Sequence, residues 1–327
     1  MSFIPILPDR TIMGRADADI LIIGDCPDGH AIRSNKPFAG PVEGCLEQCL
    51  HNARMIKSDV LMTNIVSNDT HVEHYWNDTK HKPVRSLKEH LEDLLALVEK
   101  TKPKIIVTLG DMATWALTGK ANIVDIRGYP LVTPKLGLTV IPTLHPSKCI
   151  WSNYIWRYYI SHDLSKAKKF VEGNIQLEMP ETIRPGTIAE AIEWLNYFKK
   201  QKKVSVDIEC SNFEVSCIGF ADQIDVGVSI PFDMRWSEEE EVMLWNLVAD
   251  ILGDINITKV GQNFIFDMHF LSYRMGIITR GKIVDTMMGH SIMFPDFLKS
   301  LNFLASIHTN RQRWKDMVKW KNIKKES

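Results

Sequence analysis

Apolar positions along the chain recur in two patterns. Four short, nearly unbroken runs are Asp19-Ile-Leu-Ile-Ile-Gly24, Asp59-Val-Leu-Met-Thr-Asn-Ile65, Lys104-Ile-Ile-Val-Thr-Leu-Gly110 and Leu138-Thr-Val-Ile-Pro-Thr-Leu-His145. Runs of this length predict strands covered on both faces. Between them the spacing turns helical: near residues 42–55, from Ser86 onward behind a Ser cap, briefly after Gly110, and in an aromatic-rich stretch to about 170. Alternating strand and helix predicts an α/β/α sandwich around a parallel sheet, with function in the loops at the strands' carboxyl ends.

A second α/β pattern follows. The first domain is expected over 1–172, and residues 173–186, with their Pro, Gly and mixed charge, suit a linker. The second domain is expected over 187–327. Thr187–Lys200 is helical in spacing, and strands are expected near 204–209, 215–222 and 225–230. Another helix starts around Ser237, where the acidic run Glu238–Glu241 suits a solvated helix N-terminus. Within Val204-Ser-Val-Asp-Ile-Glu-Cys210, Asp207 and Glu209 are two residues apart on a strand, so they project to the same side. Asn263-Phe-Ile-Phe-Asp267 brings a third carboxylate. Such a set could hold hard divalent cations, and two metals about 4 Å apart can activate water and stabilise a leaving oxygen in phosphodiester cleavage.

At 327 residues, 37.4 kDa and 45% hydrophobic content, the chain can form two cores. The net charge of −1 excludes a global basic field, although residues 1–170 sum to +3 and the remainder to −4. Nucleic-acid binding would therefore rest on local patches. Six cysteines without a CxxC pair, no signal-peptide pattern and no apolar run near 18 residues point to a reduced cytoplasm and no membrane partner. Cys45 and Cys49, four apart on an expected helix, read as two small apolar residues packing on one face. The tail from Arg311 to Glu326, with seven basic residues against two acidic, is either a DNA contact or a solvated end.

Asp207-x-Glu209 followed by Asn263-x-x-x-Asp267, with Val260-Gly-Gln-Asn-Phe-Ile-Phe-Asp-Met-His269, Asp285-Thr-Met-Met and Leu298-Lys-Ser-Leu-Asn-Phe-Leu-Ala305, resembles the DnaQ-like DEDD 3′→5′ exonucleases. The nearest likeness is to the proofreading domain of A-family DNA polymerases, over roughly 187–327. The resemblance implies an RNase H-like mixed sheet. It implies Asp207, Glu209 and Asp267 as catalytic metal ligands for Mg2+ or Mn2+, and Asn263 as a support for the strand end near DNA. The family's third motif, Y-x-x-x-D, has no match after Leu304: Asp316 is preceded at that distance by Gln312. The resemblance therefore implies an incomplete two-metal site, weak or inactive in this chain alone.

In the first half, Gly24-Asp-Cys-Pro-Asp28, Lys36-Pro-Phe-Ala-Gly40, Thr63-Asn-Ile-Val66, Lys104–Gly110 and His145-Pro-Ser147 occur in order. Together they resemble the uracil-DNA glycosylase superfamily, nearest to its cluster-bearing bacterial and archaeal type, over about 15–170. The likeness implies Asp25 at the sugar, Phe38 stacked on a flipped base, Asn64 reading the base edge and His145 at the backbone-gripping loop. An aromatic face and an amide suit a flipped base, and an imidazole suits charge developing on the departing base. Two departures stand out. The family's acidic pair is replaced by Ala31-Ile32, leaving Asp25 or Asp28 as stand-ins, and no cysteine precedes Cys26, so no iron–sulfur cluster is expected.

A glycosylase-like domain ahead of a proofreading-like one resembles the amino-terminal part of large-phage A-family DNA polymerases. This implies a role in DNA replication, DNA partners (single strands or primer 3′ ends), other replication proteins, and the host cytoplasm. The alternatives are an active uracil-DNA glycosylase with an inert exonuclease-like tail, and a non-catalytic DNA-binding protein.

Overall fold

The computed structural model describes residues 11–173 and 180–313. They form two compact units. One comprises the described residues of Met1–Leu177 together with those of Ala305–Ser327, the other those of Glu178–Leu304.

The first unit begins with β1 (Met13–Gly14), β2 (Ile20–Gly24), α1 (Gly29–Ser34), α2 (Gly40–Asn52) and β3 (Val60–Asn64). A small ribbon of β4 (Trp76–Asn77) and β5 (Lys82–Pro83) leads to α3 (Lys88–Thr101), β6 (Ile105–Leu109), α4 (Asp111–Thr118) and α5 (Ile123–Ile126). Then come β7 (Leu131–Val132), β8 (Thr139–Thr143), α6 (Pro146–Trp151) and α7 (Trp156–Val171). The sheet order is β1-β3-β2-β6-β8-β7, with four parallel central strands and antiparallel edges. The central strands are buried along almost their whole length, which is why each reads as an apolar run. Helix α3 departs slightly from expectation: Leu87 is its cap residue, and Ser86 Oγ accepts from Lys88 N at 3.3 Å.

A buried polar network joins α7 to the far end of the described chain. Asp163 accepts from Arg127 Nε at 2.8 Å and Thr143 Oγ1 at 2.6 Å, and Arg127 Nη1 donates to Ser306 Oγ at 3.0 Å. Lys166 Nζ donates to the carbonyls of Gly128, Ser306 and Thr309. Buried charges persist only when so partnered. The described residues from Ala305 therefore group by contact with the first unit. The basic tail lies, from residue 314 on, outside the described residues.

The second unit contains β9 (Glu181–Ile183), α8 (Ile188–Phe198), β10 (Lys203–Ser211), β11 (Glu214–Ala221), β12 (Val226–Pro231) and α9 (Glu238–Gly253). It continues with β13 (Thr258–Gly261), α10 (Ile265–Met275), β14 (Ile283–Asp285) and α11 (Thr286–Met293). Its sheet, β14-β13-β10-β11-β12-β9, is mixed: β10, β11 and β12 run antiparallel, while β9, β13 and β14 join in parallel. Strand β9 falls inside the expected linker 173–186, because three residues pairing with β12 carry too little pattern to read. Ser237 and Glu240 form a reciprocal capping box at the start of α9, as the acidic run suggested. Among the described residues, no helix is long and apolar enough to cross a membrane.

Candidate active sites in the two units

In the first unit, a cavity of about 530 Å³ opens at the carboxyl ends of the parallel strands. Asp25, Phe38 and His145 line it, with Leu144, Trp151 and Trp156. Asp25 follows β2, and its Oδ1 accepts from Ala113 N at 2.7 Å in the first turn of α4. Gly110, at φ +100°, lies against the same carboxylate, where any Cβ would collide with it. Desolvation pushes the Asp25 pKa up to about 7, the Ala113 N–H pulls it back, and Asp111 and Asp78 push it up further. Asp28 lines the same cavity, and its carboxylate also caps α1 by accepting from Ala31 N at 2.8 Å. Of the two stand-ins for the missing acidic pair, both in the cavity wall, Asp25 is the one bonded to α4.

His145 caps the first turn of α6, where its Nδ1 accepts from Ser147 N at 3.3 Å and faces Ser147 Oγ at 2.8 Å. Burial holds its pKa down to about 4, partly offset by Asp28. The ring is thus neutral near pH 7, with its proton on Nε2, a buried atom that has no hydrogen-bond partner among the described residues. Phe38 is 2% exposed, with its ring centroid 6.3 Å from that of His145. Asn64 is fully buried at the end of β3, its Nδ2 donates to the Pro37 carbonyl at 2.7 Å, and it is not among the residues that line the cavity. Gly24 lets Asn64 and Phe38 close over the end of β2, since a Cβ there would strike both. Trp151, 79% exposed on the rim, and the His81–Asp111 pair at 3.0 Å carried no sequence signal.

In the second unit, Val204, Val206 and Ile208 of β10 enter the core, while Asp207 and Glu209 take the opposite face. A β-bulge follows Glu209. Strand β13 pairs with β10 only over Lys203–Ser205, so the backbone of β10 runs on past its neighbour. Asp267 of α10 takes up the slack: its Oδ1 accepts from Ile208 N at 2.9 Å. That bond brings the three expected carboxylates into one field. Desolvation raises Asp207 to about 6, with Asp267 and then Glu209 adding repulsion. Asp267 is also raised, chiefly by burial, with Asp285 and Glu209 contributing.

The donors are hard oxygens of the kind Mg2+ or Mn2+ takes. However, among the described residues no three His, Cys, Asp or Glu side chains gather closely enough to hold a metal ion. The carboxylates supply the right chemistry without a closed coordination shell.

Asn263 adopts φ 55°, a left-handed conformation that Asn tolerates, and serves as the turn into α10. Asp285, quoted above only as part of a motif, sets that turn. Its carboxylate accepts from the backbone N–H groups of Asn263 (3.1 Å), Phe264 (2.8 Å), Met287 (2.8 Å) and Met288 (3.3 Å). It thereby caps α11 and fixes the start of the helix that carries Asp267.

Comparison with known proteins supports both halves. Residues 12–161 match the family model of the uracil DNA glycosylase superfamily, and residues 185–322 match that of a 3′-5′ exonuclease. The chain is 30% identical over 163 residues to the type-4 uracil-DNA glycosylase of Thermotoga maritima, covering 49% of this chain and 81% of that protein. Among solved structures, Trypanosoma brucei RNase D complexed with RNA U12 is 16% identical over 34% of this chain, with a TM-score of 0.28. The Aedes aegypti Nibbler EXO domain is 16% identical over 38%, with a TM-score of 0.30. The chain spans 39% and 62% of those two chains. The arrangement is thus a glycosylase-type domain followed by an exonuclease-type domain, in a mixed α/β fold.

Two outcomes follow. The Asp25 pKa is raised from an ordinary 3.8 to about 7, so its contribution to stability is full below the lower value and is lost as pH rises through the upper one. Asp25→Asn, which keeps an oxygen for Ala113 N, should exceed the parent in urea midpoint by a margin that widens from about pH 5 to about pH 8. A margin that narrows would contradict the raised pKa. In the second unit, Asp285→Ala should cost about 2 kcal/mol locally, from the lost cap and the stranded N–H groups. Hydrogen exchange over residues 258–293 would read this as roughly thirtyfold weaker protection, and unchanged protection would refute the anchoring role.

Proposed function

Because its first half belongs to the uracil-DNA glycosylase superfamily, we propose that the chain handles DNA by drawing one extruded base into the cavity beside Asp25, Phe38 and His145. The observation that carries this reading is the cavity itself: an aromatic wall, a neutral imidazole with a buried unpartnered N–H, and a desolvated carboxylate, all at one strand end. Phe38 would lie against the face of the base. His145 Nε2–H would donate to a base oxygen, at no cost in repelling a cation. Asn64, bonded to the Pro37 carbonyl, would help to fix Phe38 in place.

The second unit would engage a DNA 3′ end, with Asp207, Glu209 and Asp267 holding Mg2+ or Mn2+ once further oxygen donors complete the shell. A bound divalent cation would supply an activated water and charge neutralisation at the leaving oxygen. The order of the two domains supports a finer reading, the amino-terminal portion of a phage A-family DNA polymerase. That chain would work in replication in the host cytoplasm, alongside DNA single strands, primer ends and other replication proteins.

A second reading, an active glycosylase, is favoured by Asp25. With a pKa of about 7 it could take a proton from water at the sugar near neutrality, a role that calls for a base matched to the working pH.

The test uses single-stranded oligonucleotides that differ only in one uracil or thymine. Tighter binding of the uracil strand is expected, reduced about tenfold or more in His145→Ala and Phe38→Ala. Equal affinity for both strands would overturn the base-pocket reading. Alkali-labile sites that form faster as pH rises through about 7, and vanish in Asp25→Asn, would select the active glycosylase over the binding module.

A further inference from the structure

Three of the six cysteines come together beside the base cavity. Cys45 and Cys49 lie one turn apart on α2, and Cys149 lies on α6, which packs against it. The Cys45 thiol interacts directly with both of the others. Cys49 and Cys149 are buried, whereas Cys45 is only half-buried and so open to a small reagent. Cys49 Sγ also meets the Arg157 carbonyl at 3.5 Å, so it is shared between that acceptor and Cys45.

The surroundings divide the labour between the two. Thiol donors from Cys149 and Cys49, helped by Arg157, favour the thiolate at Cys45 against its burial and hold its pKa well below the usual range. Cys149 is pushed up and keeps its proton. A partly accessible, anion-stabilised thiolate next to a protonated partner is how an attacking and a resolving cysteine are arranged. An i, i+4 pair on one helix is held apart by the helix, whereas a pair on two packed helices can reach disulfide geometry with small shifts.

We propose that Cys45 and Cys149 form an oxidant-sensitive dithiol, closed by peroxides into a disulfide that ties α6 to α2. The Cys45 thiolate attacks one oxygen of hydrogen peroxide, breaking the O–O bond, and hydroxide leaves as Cys45 becomes a sulfenic acid. Cys149 sulfur then attacks Cys45 sulfur. The S–S bond forms and the S–O bond breaks; the Cys149 proton goes to the departing oxygen, and the first hydroxide is protonated by solvent. In total, two thiols and one peroxide give one disulfide and two waters. Helix α6 is capped by His145, four residues before Cys149, so the cross-link acts directly on a wall of the cavity. This goes beyond the base-pocket reading and does not depend on it, because the bond is read chemically.

The experiment treats the full chain with hydrogen peroxide in the presence of a chelator, then digests it without reduction and maps cross-linked peptides by mass spectrometry. A Cys45–Cys149 peptide is expected to dominate, to disappear on dithiothreitol treatment, and to be absent in Cys45→Ser and Cys149→Ser but retained in Cys217→Ser. Uracil-strand affinity should fall several-fold on oxidation and recover on reduction. Cross-links dominated by other pairs, or sulfinic acid at Cys45 with Cys149 still free, would overturn the proposal. A mapped Cys45–Cys149 bond without any uracil preference in the reduced protein would refute only the base pocket.

Discussion

A carboxylate held out of water at the end of β2 is the constraint around which the first unit is arranged. Asp25 needs the Ala113 N–H to remain there, and it needs Gly110 because no side chain fits against it. Those two requirements fix the start of α4 against the sheet and leave the space between the strand ends as a cavity. Lys148, the smallest of the influences on the acid, pulls its pKa down without offsetting its burial. A folded chain that tolerates such a group is storing free energy at a site, which is the pattern expected where protons are moved or polar ligands bound.

The second unit meets the same constraint in another form. Strand β10 outruns β13, and the buried N–H of Ile208 that β13 does not pair is met by a carboxylate from α10. That single hydrogen bond brings Asp267 within electrostatic reach of Asp207, whose pKa is raised by burial and then by repulsion from Asp267 and Glu209. Asp285 acts one step back, since it holds the left-handed turn at Asn263 from which α10 begins.

How much of this was legible in the sequence depends on the length of the signal. The four central strands of the first sheet read clearly, because burial on both faces demands an unbroken apolar run. The period-two alternation of β10 likewise placed Asp207 and Glu209 on one face. Strands of two or three residues, β1, β7 and β9, follow their neighbours' hydrogen bonds rather than any pattern of their own and could not be read. Residues with a shared role but distant positions were equally opaque: Ser306 closes a network with Arg127 and Asp163, and Cys149 meets Cys45 only because α6 packs on α2. Asn64 illustrates a subtler limit. Its place at a strand end was readable, but the bond from its amide to the Pro37 carbonyl was not.

The central claim is that the first unit keeps a neutral imidazole donor and a desolvated acid ready for an uncharged base. Nitrogen-detected NMR of the His145 ring tests this most directly, recorded at about pH 6 with and without a uracil-bearing strand. The account predicts a neutral ring protonated on Nε2 in the free protein, with that nitrogen's resonance shifting when the strand is added. An imidazolium in the free protein, or a ring indifferent to the strand, would contradict it.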